Sequence, residues 1–115
     1  MAREVYRIIR EKVPTRHDFL TSQELGKPLR NPSRRREWSE AISVYDDVGY
    51  AVEQARYFGF KLGRYILRIS IPDGESVEMV QTGPDLRHLG LFAPMHQLVA
   101  GADESAIADA KLWQL

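Results

Sequence analysis

The sequence predicts an α+β fold: one domain over residues 1–115, with a mainly antiparallel sheet and two or three helices. Three observations lead there. Short β-branched and aromatic runs alternate with period two. One central stretch repeats apolar residues at spacings of three and four. The later runs are joined by turn tripeptides (Pro72-Asp73-Gly74 and Gly83-Pro84-Asp85) rather than by helices. Turn-type links favour antiparallel neighbours, because a parallel pair needs a longer crossover.

Residues 4–9, with Val5, Tyr6, Ile8 and Ile9, form the first predicted strand. Beyond Pro14, Thr21 and Glu24 have the spacing of a capping box, flanked by Leu20 and Leu25. Gly26 then limits that helix to one or two turns. Residues 27–40 are rich in Pro, Asn, Ser and Arg and read as a long surface loop. A short strand follows at 41–45. Asp46 or Asp47 then caps a helix reaching about residue 57, with Val48, Ala51, Val52, Ala55 and, at its end, Phe58 on its apolar face.

Residues 64–71 give the clearest strand, with Tyr65, Leu67, Ile69 and Ile71 on one face. Further strands are expected at 76–81 and 88–93, and a helical turn opens at Pro94. The tail at 103–113 fits two periods. Ile107, Ala110 and Leu112 suit a helix capped by Asp103, while Ile107, Asp109, Lys111 and Trp113 alternate with Ala108, Ala110 and Leu112 as an edge strand would. The helix is the expected form.

Composition narrows the functional classes. The chain has no cysteine, which removes disulfides, thiolate metal sites and cysteine nucleophiles. Sixteen basic residues balance sixteen acidic ones, which argues against a dedicated nucleic-acid binder. Charges stand at the amino terminus where a signal peptide would be apolar, and no run approaches the ~18 apolar residues of a membrane helix. The expectation is a cytoplasmic protein without a membrane partner. His17, His88 and His96 do not have metal-ligand spacing, so no metal site is predicted.

The remaining candidates each have a bland alternative. Arg34, Arg35 and Arg36, followed by Trp38, suit an anion- or partner-binding loop; Glu37 and Glu40 would equally make it a solvated one. Arg7 shares its strand face with Val5 and Ile9. It either holds an anion in a cleft or lays its stem over apolar surface. Ser43 and Tyr45 lie on one face of the second strand, as hydrogen-bond donor and stacking ring or as ordinary strand residues. His88 is an acid, base or donor near neutral pH, or a structural residue beside a turn. Glu78 shares a strand face with Ser76 and Val80, while Glu75 sits at the turn.

Together, Val5-Tyr6-Arg7, the stretch from Pro14 to Leu20, Leu25-Gly26 and Ile42-Ser43-Val44-Tyr45-Asp46 resemble small bacterial proteins of the ADP-ribosyltransferase fold, some of them toxins. The segment from His88 to Pro94 resembles a late strand of that fold. The resemblance implies NAD as cofactor, held by Arg7 with Tyr6 beside it. It implies Ser43 as a supporting hydroxyl and Tyr45 as the ring that stacks on nicotinamide. His88 or Gln81 stands near the place of the family's glutamate, giving Arg7, Ser43 and His88 as the catalytic set. The implied partners are a small nucleotide and an antitoxin or another protein. The competing expectation is a non-catalytic interaction domain that uses the basic loop 27–40.

Overall fold

The computed structural model describes residues 3–14, 16–19, 42–71, 78–81, 88–92 and 95–113. Within them run β1 (Arg3–Ile9), a 3-10 turn (Arg16–Phe19), β2 (Ile42–Tyr45), α1 (Val48–Tyr57), β3 (Tyr65–Ile71), β4 (Glu78–Gln81), β5 (His88–Phe92), α2 (Met95–Gly101) and β6 (Ala102–Asp109). The strands form one sheet in the order β4-β5-β2-β1-β3-β6, and every registered pairing is antiparallel. The architecture is α+β with two α-helices and an antiparallel sheet, as expected. Of the two turn-type links, however, only the one between β4 and β5 joins neighbouring strands. β3 and β4 stand apart in the sheet, because β1 and β6 take the two edges of β3. The expected short helix at 21–26 and the loop 27–40 lie outside the described residues.

Period-two alternation gives the sheet two apolar faces. Val5, Ile9, Ile42, Val44, Leu67, Ile69, Leu89 and Leu91 form the larger core, closed by Phe19 of the 3-10 turn and Leu98 of α2. On the opposite face, Ile66 and Tyr45 meet Ala51, Val52 and Ala55 of α1. Those three helical residues are fully buried, which agrees with the three-and-four spacing read from the sequence. Asp47 caps α1 from extended backbone, its carboxylate accepting from Tyr50 N at 2.8 Å.

After α1 the chain turns through Gly59 (φ 61°), Phe60 (φ 62°) and Gly63 (φ 138°) into β3. Backbone bonds from Phe60 N to Ala55 O and from Gly59 N to Arg56 O close the helix end.

The tail corrects one expectation: residues 102–109 are a strand, not a helix. β3 pairs with β1 along its whole length, from Arg3↔Ile71 to Ile9↔Tyr65. Its other edge would be left without hydrogen-bond partners if the tail were helical, and β6 supplies them. A register shift interrupts this pairing between Ile66 and Arg68. Arg64 clasps Asp109 at one end of this pairing, and Arg68 clasps Asp103 at the other. The helix that Pro94 was expected to open runs on to Gly101, where β6 begins at once.

Candidate functional site

Neighbouring residues of β1 face opposite sides of the sheet. Arg7 points to the side of Val5 and Ile9, under the 3-10 turn. Tyr6 and Ile8 point to the side of α1. The pairs Tyr6↔Tyr45 and Tyr45↔His88 carry that second side across three strands, so Tyr6, Tyr45 and His88 form a row.

The row is tightly packed. Tyr45 is buried, with its ring stacked on His88 at 5.0 Å between centroids and an interplanar angle of 21°. Tyr50, from the first turn of α1, tilts against the same ring at 5.7 Å. The Tyr6 hydroxyl donates to a Glu4 carboxylate oxygen at 3.4 Å. Burial pushes the Tyr6 phenol above its ordinary pKa and Glu4 adds to the shift, so it remains a protonated donor at neutral pH. Ser43 is exposed one step along β2, opposite Gly90 of β5, which adds no side chain beside the hydroxyl.

Arg7 occupies a different kind of position. β1 and β3 share seven registered pairs and β2 and β5 share four, yet β1 and β2 share only Tyr6↔Tyr45. The sheet is thinly joined there, and Arg7 supplies the link where the pairing stops. Its Nη1 donates to Ser43 O at 2.7 Å, and its Nε donates to Asp18 O at 2.5 Å. Both acceptors are backbone carbonyls. Burial pushes the Arg7 pKa below the usual arginine value, opposed first by Asp18 and then by Tyr45. The guanidinium still stays charged at neutral pH. Among the described residues, the two bonds engage Nε and Nη1 and leave Nη2 for a further acceptor.

Arg7 and Ser43 are therefore brought together, but through the backbone of Ser43. The Ser43, Tyr45 and His88 side chains lie on the far side of the sheet from the guanidinium. Alternate residues of paired strands keep to their own faces, so the Arg7 and Tyr45 groups lie on opposite sides of the sheet at the β1–β2 junction. Glu78 and Gln81 are exposed on the edge strand β4, away from this junction; Glu75 and the Arg34–Arg36 cluster lie outside the described residues. Sequence reading missed the carbonyl of Asp18, since a backbone acceptor leaves no signature in residue types. It also missed Tyr50 as a ring partner, although the three-residue spacing from Asp47 marks it as the capped position. Among the described residues, no three His, Asp or Glu side chains converge on a metal position. No family model, curated protein or solved structure matches this chain.

Proposed function

We propose that the chain is an ADP-ribosyltransferase-like domain that binds NAD or a related nucleotide at the β1–β2 junction. The observation that supports this most is the position of Arg7. A desolvated guanidinium sits where two adjacent strands share a single registered pair, aligned by two carbonyls and with Nη2 left to donate. A phosphate or carboxylate there gains a charge-assisted bond from a donor already fixed in place. In this reading, Ser43 aligns Arg7 through its carbonyl, and the Tyr45–His88 stack supports the junction from the opposite, α1 side of the sheet rather than touching the ligand. Tyr45 already packs against both His88 and Tyr50, so its part is to brace the junction and hold His88 rather than to stack on a base.

The test is calorimetric titration of NAD into the parent protein and into Arg7→Ala and Arg7→Lys, each first shown to melt cooperatively. The parent is expected to bind, Arg7→Ala to lose binding, and Arg7→Lys to retain a weakened response, because an ammonium keeps the charge but not the planar fork. Equal affinity in the parent and Arg7→Ala refutes the assignment, and so does absence of binding to the parent at millimolar NAD.

A further inference from the structure

Three turns converge at one end of the sheet. β1 ends at Ile9 opposite Tyr65, where β3 begins, and β6 ends at Asp109 opposite the same Tyr65. Segments 10–13, 56–64 and 109–113 therefore share one tip. Specific contacts tie them together. Ala110 N donates to Arg64 O at 2.7 Å, Arg56 Nε donates to Ala110 O at 3.1 Å, and the Lys111 ammonium sits 5.2 Å from the centroid of the Phe60 ring. A Cβ on Gly63 would touch the Ile9 carbonyl.

The tip concentrates two properties. Of six exposed large hydrophobic residues among those described, five stand here: Val13, Tyr57, Phe58, Leu62 and Leu112. The sixth is Val99. Tyr57 is 78% exposed and Leu112 76%, so neither is spent on the core. The same segments hold six cations against two carboxylates, Glu11 and the Arg64-bound Asp109. That is a surplus of four on a chain whose formal net charge is zero. Arg10, Lys12, Lys61 and Lys111 are all exposed.

We infer that this tip is a peripheral docking surface for an anionic lipid bilayer. The apolar side chains stand on three separate segments, with the Tyr57 and Phe58 rings edge to face at 5.0 Å, a small cluster that suits shallow insertion into a fluid headgroup layer. Tyrosine places an apolar ring and a polar tip at such a boundary. Lysine stems lie along apolar surface while their ammonium groups reach the phosphates. Lysine is depleted from protein–protein interfaces, so three of the four exposed cations favour lipid over a protein partner. A second copy of the chain is disfavoured, since a two-fold contact through this patch would set cations against cations. The surface is distinct from the Arg7 junction and does not depend on nucleotide binding.

Co-sedimentation of the full chain with vesicles tests the inference. Vesicles of phosphatidylcholine alone are compared with vesicles containing about one third phosphatidylserine, at low and high salt. The protein is expected to pellet with the anionic vesicles only, and less so at high salt. Lys61→Glu, and separately Tyr57→Ser combined with Leu112→Ser, are each expected to weaken partitioning on the order of tenfold while leaving the thermal melt unchanged. Failure to pellet with anionic vesicles overturns the proposal. Equal pelleting with neutral vesicles, or full binding in both folded variants, overturns it as well.

Discussion

Adding one methyl group at Gly63 is the sharpest test of the packing at this end of the sheet. A Cβ built there would lie 2.2 Å from the Ile9 carbonyl oxygen, 2.5 Å from its carbon and 3.0 Å from Arg10 N. Real Cβ contacts do not fall below 3.0 Å, so backbone would have to yield. Ile9 is 1% exposed and registered against Tyr65, so the displacement passes into the β1–β3 ladder. Overpacking of this kind costs about 1–3 kcal/mol, and the positive φ of 138° adds about 1–3 kcal/mol for a residue bearing a side chain. The reduced freedom of the unfolded alanine chain returns about 0.4–1 kcal/mol. Gly63→Ala should therefore lose roughly 2–5 kcal/mol, which at this chain length lowers Tm by on the order of 10–20 °C. Gly59→Ala is the matched control: its φ is 61°, but nothing lies within 4 Å of the new methyl. The left-handed backbone cost of about 1–2 kcal/mol applies there, offset by the same unfolded-state gain, with no steric clash added. Thermal melts followed by circular dichroism compare the two. A Gly63→Ala protein that melts no lower than Gly59→Ala refutes the steric argument.

Arg7→Ala removes two charge-assisted bonds to carbonyls and should destabilise the fold by about 2–4 kcal/mol, read from urea midpoints; a change under about 0.5 kcal/mol would mean that the guanidinium does not tie β1 to β2. Asp47→Ala deletes the α1 cap and should cost about 1 kcal/mol, whereas Asp47→Asn should cost little. The Arg64 guanidinium holds Asp109 below the usual carboxylate range, opposed by partial burial and aided by the Lys111 amide. Because the folded pKa is the lower one, this contribution is fully present above the ordinary aspartate value. It is lost as pH falls from about 4 through the folded pKa. Asp109→Asn should thus flatten the acid limb of a stability–pH curve, and an acid limb parallel to the parent's would contradict the pairing.

Much of the sheet and its helices is legible in the sequence, because local periods suffice for them. Val5 and Ile9, Leu67 and Ile69, and Ala51, Val52 and Ala55 declare their buried faces by spacing alone. The tail was not legible for a definite reason. Ile107, Ala110 and Leu112 suit the helical period, while Ile107, Asp109, Lys111 and Trp113 alternate with Ala108, Ala110 and Leu112. The choice is made by the edge of β3, some forty residues earlier in the chain. The candidate site divides in the same way. That Arg7 shares a face with Val5, and Ser43 with Tyr45, follows from alternation within each strand. That these two faces are opposite depends on the pair Tyr6↔Tyr45, which no local pattern encodes. The charged tip is hidden more completely, because averages over the whole chain cancel its cations against carboxylates elsewhere.

The pairing of β1 with β3 also governs the order in which the molecule can assemble. β1 comes first in chain order, and its longest ladder joins Ile9 to Tyr65 and Arg3 to Ile71. Until the segment near residue 71 is available, Val5, Ile8 and Ile9 have no strand on which to lay that ladder. Closing so long a loop costs entropy before any contact repays it, which places folding in the slow, non-local regime of roughly milliseconds to seconds. A chain halted during synthesis before β3 emerges would present β1 as an uncovered apolar strand, the form most exposed to association with other chains. The strand at the centre of the finished sheet is thus the one that waits longest for its partner.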